Sequence, residues 1–279
     1  MRRQKTVLVT GATGTVGRQV VSRLEHSGVQ VRAMSRDPDP LGTTAIRGDL
    51  TDPESVRAAV SGVDAVFLLW PFATAEKLPP VLDAIAGHAR RVVYLSSAAV
   101  RAGERHAEQL IEQSGLEWTF LRPHAFSANT FAWADQIRSG GVVRGPYPAA
   151  ATAPIDEHDI AAVASSALTS EGHTGAAYLL TGPHLLTQEQ QAHIIGDAIG
   201  RPVRWIDTPI RDARRDMLAL GWPAAVVHDI LRAQADLVTT PGPVTDAVRE
   251  VTGAPARTFR QWAEANADRF RDTARLSST

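Results

Sequence analysis

The sequence predicts an α/β fold, a doubly wound parallel sheet followed by a smaller, mainly helical C-terminal lobe. Three observations predict it. Apolar strand patterns alternate with helical patterns through the first 122 residues, as they do where helices cover both faces of a parallel sheet. The first strand runs directly into a glycine-rich corner, T-G-A-T-G-T-V-G at 10–17, which opens a helix. From Thr187 onward the chain is mainly helical, punctuated by Gly221-Trp222-Pro223 and Pro241-Gly242-Pro243.

Taken in order, strands are expected at Thr6–Thr10, Gln30–Met34, Thr44–Arg47, Ala65–Leu69, Arg91–Ser96 and Trp118–Arg122. Helices are expected between them near Thr15–His26, Pro53–Ser61, Thr74–His88 and Glu104–Ser114. Asp52-Pro53 is a cap followed by proline at the first helical position. After Arg122 the rhythm changes. Pro123 stops the strand, Phe126–Arg138 reads as helix, and Gly140 to Pro154 reads as a long loop or lid. Asp156–Leu168 is a helix returning to the sheet, and Ala176–Leu180 a further strand. The expected domains are therefore 1–150, a returning segment 151–182, and a lobe 183–279 that takes in part of 123–150.

Bulk properties narrow the function. The chain has 279 residues, formal charge −1 and 44% hydrophobic residues. No apolar run approaches the ~20 residues of a membrane helix, and the N-terminus enters the first strand without a signal peptide, so a cytoplasmic protein is expected. Near-zero charge argues against nucleic acid as a partner. Absence of cysteine excludes disulfides, thiolate metal sites and cysteine nucleophiles. The histidines show no metal-ligand pairing, and neither a nucleophile elbow nor His-Glu-x-x-His is present. The expected partner is a small molecule, and the expected assembly a monomer or homodimer.

The glycine corner is the strongest functional signal. Gly11, Gly14 and Gly17 let the backbone turn sharply and approach a pyrophosphate closely, with Thr13, Thr15 and Val16 beside it. The helix N-terminus then offers its amides and positive dipole end to the anion. At the end of the second strand an NAD site usually carries Asp or Glu; here Ser35 and Arg36 stand in that place. A guanidinium there meets the 2′-phosphate of NADP with a bond worth ~1.5–3 kcal/mol, about one to two decades of preference over NAD. Asp37 weakens this if it points inward. Asp49 is placed either to accept from the adenine amino group or to cap the turn before Asp52, and Leu50 to pack on the ring. Leu69, Trp70 and Pro71 end the fourth strand where the chain passes the cofactor ribose, and Ser96 ends the fifth.

These pieces resemble the NmrA-like branch of the atypical short-chain dehydrogenase/reductases over nearly the whole chain. The resemblance is carried by T-G-A-T-G-T-V-G at 10–17, V-R-A-M-S-R at 31–36, G-D-L at 48–50, Y-L-S-S-A at 94–98 and E-Q-L-I-E-Q-S-G-L-E-W-T-F-L-R-P at 108–123. It continues through Phe126, Asn129, Pro154-Ile155-Asp156, Asp159-Ile160-Ala161, Gly175–Gly182 and Ile199-Gly200-Arg201-Pro202. The resemblance implies a Rossmann domain, a small C-terminal substrate lobe and bound NADP(H). It covers quinone, azo and isoflavone-type reductases, and regulators that bind the dinucleotide without turnover.

One departure matters. Short-chain dehydrogenases commonly use Tyr-x-x-x-Lys with a nearby serine. Here tyrosines stand only at 94, 147 and 178, none four residues before a lysine, and the only lysines are Lys5 and Lys77. By register on Ser114-Gly115 the lysine place holds Glu104. Ser97 matches the serine place, where it bonds a substrate carbonyl or merely caps the loop. His106 is an acid–base candidate or a surface histidine at a helix start, and His124 a pocket candidate at the sheet edge. Phe72, Phe126, Trp133 and Tyr147 are candidates for a substrate pocket, with core packing the competing role. The leading expectation is an NADP(H)-dependent oxidoreductase acting on quinones, enones or imines, acceptors that carry their own electron sink. The rivals are an NADP(H)-binding sensor without turnover and a non-redox cyclase, lyase or isomerase.

Overall fold

The computed structural model describes residues 4–38 and 45–271. The chain divides into two compact units. The first comprises Met1–Pro123, Glu157–Leu180 and Asp246–Pro255; the second comprises His124–Asp156, Thr181–Thr245 and Ala256–Thr279. This differs from the boundaries drawn from the sequence. The segment 124–150 leaves the first unit directly after the sixth strand, and 246–255 rejoins it, because its short helix packs on the returning helix 157–169.

The first unit alternates β1 (Thr6–Thr10), α1 (Gly17–His26), β2 (Gln30–Ser35), β3 (Ala45–Arg47), α2 (Pro53–Val60), β4 (Ala65–Leu69), α3 (Pro79–Ala86), β5 (Arg91–Leu95), α4 (Ala102–Gln113) and β6 (Glu117–Pro123). The strand expected to begin at Thr44 is seen from Ala45, Thr44 lying outside the described residues. β1 is buried at every position, which is why its apolar run is continuous rather than alternating. At α2 the Asp52 carboxylate accepts from Glu54 N–H, with Pro53 in the first turn, as the dipeptide predicted. The helix expected over 74–88 is shorter, because Pro79 and Pro80 lack donors and fit only a first turn.

The second unit supplies α5 (Ala134–Gly140), β7 (Val142–Gly145) and β8 (Ala151–Thr152) before the chain returns as α6 (Glu157–Thr169) and β9 (Ala176–Leu180). The sheet of the first unit then reads β3-β2-β1-β4-β5-β6-β9, with every pairing parallel. Its order reverses at β1, between β2 and β4, so the crevice beyond the carboxyl ends opens there. Leu8, Leu68, Tyr94 and Phe120 pack with Val81, Ile85 and Ile111 in its core.

The rest of the second unit is β10 (Leu186–Thr187), α7 (Gln188–Ile199), β11 (Arg204–Asp207), α8 (Ile210–Ala219) and α9 (Ala224–Thr239). After α10 (Ala247–Thr252), which belongs to the first unit, α11 (Phe259–Ala265) closes the second. The stretch 140–154 is not one long loop, because β7 pairs parallel with β11 and β8 antiparallel with β10. The helix expected over 126–138 is a 3-10 turn, Ser127–Trp133, followed by α5, which Gly141 ends at φ +61°. Ile137, Val143, Ile195, Val203, Trp262 and Phe270 form this unit's core. Among the described residues no helix is long and apolar enough to cross a membrane, and no cluster of His, Asp and Glu suits a metal ion.

Candidate functional site

The glycine corner is built by backbone contact. Thr10 clasps the ends of β1 and β4, its Oγ1 donating to Phe67 O at 3.2 Å and accepting from Leu69 N–H at 2.8 Å. Gly11 then turns with φ +61°, and its carbonyl accepts from Gly14 N–H at 2.9 Å. A Cβ on Gly17 would lie 2.1 Å from Gly11 O, so only glycine lets α1 start this close to the turn. α1 has no side-chain cap and no acidic residue in its first turn, whereas α2, α7 and α11 are capped by Asp52, Thr187 and Thr258. Within α1, Arg18 N–H is taken by Gly14 O at 3.1 Å and Gln19 and Val20 N–H by Val16 O at 3.0 Å, so the donors a pyrophosphate would meet here are those of the turn itself and of the first residue of α1.

Beside this turn stands the end of β2. Ser35 is buried; its Oγ accepts from Asp37 N–H at 3.1 Å and lies 3.5 Å from Thr13 Oγ1. Arg36 and Asp37 are exposed, so the Asp37 carboxylate does not turn into the fold. Asp49 Oδ1 accepts from Thr51 N–H at 2.8 Å and Thr51 Oγ1 at 2.9 Å. These bonds, with the Arg36 charge as a lesser cause, hold its carboxyl below the ordinary range. Of its two roles from sequence, the turn contact is made in the structure. Leu50 and Trp70 are buried in the core of the first unit, and Trp70 Nε1 donates to Thr74 O at 2.9 Å. Pro71 and Phe72 are exposed, Phe72 edge-on to Trp70 at 4.7 Å.

Leu69 and Leu95 are in register at the ends of β4 and β5, and the Leu69 side chain lies 3.4 Å from the Cβ position of Gly11. These contacts bring the glycine turn, Leu69 and Ser96 to one edge of the sheet. The Ser96 hydroxyl is buried and has no hydrogen-bond partner. An orphan hydroxyl of this kind calls for a ligand or water, so this edge also fits a bound dinucleotide.

Ser97 does not have a free proton. Its Oγ donates to Glu104 Oε2 at 2.7 Å, and the same oxygen accepts from Arg101 N–H at 2.7 Å. Sequence reasoning placed Glu104 but missed this bond; the only signal was a carboxylate at the third position of α4, where such residues reach back. His106 is exposed on α4 and not turned into the fold. Tyr94 is buried, and burial, then Glu104 and Glu108, push its hydroxyl far above the ordinary range, so it stays neutral.

The remaining candidates belong to the second unit. His124 Nδ1 is buried without a partner, and burial lowers the ring's pKa. The ring lies against Gly242, where a Cβ would come within 2.8 Å of Cε1. Phe126 forms a backbone β-bridge with Ile155 and is half-buried; Trp133 packs edge-on to Trp205 at 5.5 Å, against the core of this unit. Tyr147 differs. It adopts φ +59°, which is strained for a bulky residue, and it lines a cavity of about 590 Å³ with Pro146, Pro148, Pro209, Ile210 and Val238. Gln188 Nε2 pins the strained turn by donating to Tyr147 O at 2.9 Å.

Comparison with known proteins agrees with this geometry. Residues 11–171 match the model of a family described as NAD(P)H-binding. A (4-alkanoyl-5-oxo-2,5-dihydrofuran-3-yl)methyl phosphate reductase of Streptomyces griseus is 38% identical over 95% of this chain and 99% of that protein. An NAD(P)H azoreductase of Xenophilus azovorans is 33% identical over 95% of this chain and 99% of its own. In fold, the chain is similar to an NADPH-dependent quinone oxidoreductase of Escherichia coli complexed with NADPH (TM-score 0.78, 23% identity, 93% of this chain and 99% of that one). The chain belongs to the NAD(P)H-binding family, in keeping with its resemblance to the NmrA-like atypical short-chain dehydrogenase/reductases.

Proposed function

We propose that this protein is an NADPH-dependent reductase of a small conjugated acceptor. The observation that carries the reading is the likeness, along nearly the whole chain, to two proteins named as reductases. The Gly11–Gly17 turn and the uncapped α1 suit the pyrophosphate. Ser35 and Arg36 at the end of β2 suit the 2′-phosphate and favour NADP(H) over NAD(H). Ser96 suits the cofactor's second half. In the Streptomyces protein the substrate's name describes a ring alkene conjugated with two carbonyls, an acceptor that spreads the charge delivered with hydride. The absence of Tyr-x-x-x-Lys favours acceptors of that kind, quinone, enone or imine, because little proton donation is then needed in the transition state. Of the three polar candidates, Ser97 stands at the end of β5 in the unit that holds the glycine turn. Of the two histidines, His124 is half-buried in the second unit with its pKa lowered by burial, whereas His106 faces solvent. The substrate-contact candidates are Phe72 in the first unit and, separately, the Tyr147 cavity in the second.

The missing pair equally favours a second reading, a sensor that binds NADP(H) without turnover. Titration with NADPH and NADH, followed by a panel of quinones, activated alkenes and iminium salts read by loss of NADPH absorbance, separates the two. Tight NADPH binding with acceptor-dependent oxidation supports the reductase; tight binding with no oxidation across the panel refutes it in favour of the sensor.

A further inference from the structure

By the register on Ser114-Gly115 that the family resemblance gives, the lysine place of the Tyr-x-x-x-Lys pair holds the carboxylate Glu104, with Val100 four residues before it. The charge at this place is therefore reversed. The carboxylate is held firmly. Oε2 takes the Ser97 hydroxyl and the Arg101 amide, each at 2.7 Å. Val100 adopts φ +36°, with its N–H on Ser97 O at 3.3 Å. Gly103 lies so close to the preceding loop that a Cβ would sit 2.1 Å from Ala73 O. The neighbouring charges do not neutralise it. Glu108 is paired with Arg122 at 2.6 Å, Arg105 turns to Val100 O at 3.3 Å, and Tyr94 is neutral. Among the described residues Glu104 makes no ion pair.

We propose that Glu104 is the counter-charge for the oxidised nicotinamide, a positioned carboxylate that favours NADP⁺ relative to NADPH and so favours departure of hydride. The inference rests on reading the site as one for NADP(H). Its placement follows from the fold. In a doubly wound sheet one half of the dinucleotide lies over the strands on each side of the order reversal. The Arg36 side takes the adenosine half, which leaves the ends of β4 and β5, with Ser96, Ser97 and Glu104, to the nicotinamide half. Hydride transfer moves a proton and two electrons from the ring to the conjugated acceptor, leaving one positive charge on the ring and adding one negative charge to the acceptor. A fixed negative charge nearby lowers the energy of that product state, where a lysine raises it. No further oxidant is involved.

The test is the ratio of dissociation constants for NADP⁺ and NADPH, measured by calorimetry, in the wild type, Glu104→Gln, Glu104→Lys and Ser97→Ala. Gln keeps an acceptor at the same place, and Glu104→Ser removes the same charge should the amide variant not fold. Loss of the charge is expected to raise the NADP⁺/NADPH ratio about tenfold, and Lys to raise it further. Ser97→Ala, which keeps the charge, is expected to leave it within about twofold. An unchanged ratio in a folded Glu104→Gln protein overturns the proposal, as does a shift in Ser97→Ala equal to that in Glu104→Gln. The readout is independent of turnover. A shifted ratio without reduction of any acceptor refutes the reductase reading alone; reduction with an unshifted ratio refutes the role of Glu104 alone.

Discussion

Replacing Gly17 by alanine tests the glycine corner most directly. The added methyl group would stand 2.1 Å from Gly11 O and 2.8 Å from Gly11 C, whereas ordinary contact begins near 3.4 Å. Turn and helix must therefore part by more than about 1 Å, and both contacts are backbone, so no side chain can yield instead. Overpacking of this kind costs about 1–3 kcal/mol, a fall in Tm of roughly 2–10 °C for a chain of this size. The effect on the ligand is larger. Losing two charge-assisted amide bonds to the pyrophosphate costs ~3 kcal/mol or more, about two decades in Kd for NADPH. Gly28→Ala is the control. Gly28 also has positive φ, +74°, but nothing lies within 4 Å of its Cβ position. It should lose ~1–2 kcal/mol of stability from strain alone and bind NADPH as the wild type does. Titration followed by cofactor fluorescence, with thermal unfolding in parallel, reads both. A folded Gly17→Ala protein with wild-type affinity would refute the assignment of this turn to the pyrophosphate.

Three further perturbations probe other parts of the molecule. Arg36→Ala should weaken NADPH binding about ten- to a hundredfold while leaving NADH unchanged; equal losses for both would show that Arg36 does not read the 2′-phosphate. Arg122→Ala strands Glu108, which is 5% exposed and loses bonds of 2.6 and 2.9 Å. It should cost about 3 kcal/mol in denaturant unfolding, partly recovered by Glu108→Gln in the same chain, and a cost below about 1 kcal/mol would contradict the burial argument. His124 has its pKa lowered by burial, so the folded state resists its protonation. Its contribution to stability is complete above the unfolded value near 6.5 and is lost as pH falls from there through the lower folded value. Thermal midpoints of His124→Phe should therefore fall less steeply than those of the wild type below about pH 6.5; parallel profiles would assign the loss to other groups.

The parts of this molecule that were legible in the sequence are those set by near neighbours. The alternation of strands and helices, the cap at Asp52-Pro53 and the corner at Gly11–Gly17 are local patterns, and the structure forms each of them. What was illegible depends on pairing across long separations. β7 and β8 are four and two residues long, set among Gly, Pro and Ala, and exist because β11 and β10 lie beside them. The same holds for the boundaries of the two units. Nothing near Asp246 marks its return to the first unit, since that return is decided by the packing of α10 on α6.

The candidate residues illustrate this difference at the level of chemistry. In the proposed function the pyrophosphate end relies on the backbone, and the turn that would hold it is a pattern of residue type and spacing, Gly11 to Gly17, which the structure forms. The side-chain candidates of each unit have roles set by what they touch within that unit. Ser97 looks like a donor in the sequence, yet its proton goes to Glu104, which leaves its oxygen able only to accept from a ligand. Trp133 looks like a pocket residue and packs edge-on to Trp205 against a core, while Tyr147, of the same aromatic class, lines a cavity in a conformation that costs energy to hold. A protein without the Tyr-x-x-x-Lys pair must control charge at the hydride-bearing end by other groups. In the proposed function the held carboxylate of Glu104 stabilises the charge left on the cofactor, and the conjugated acceptor disperses the charge it receives, so neither partner depends on a strong proton donor.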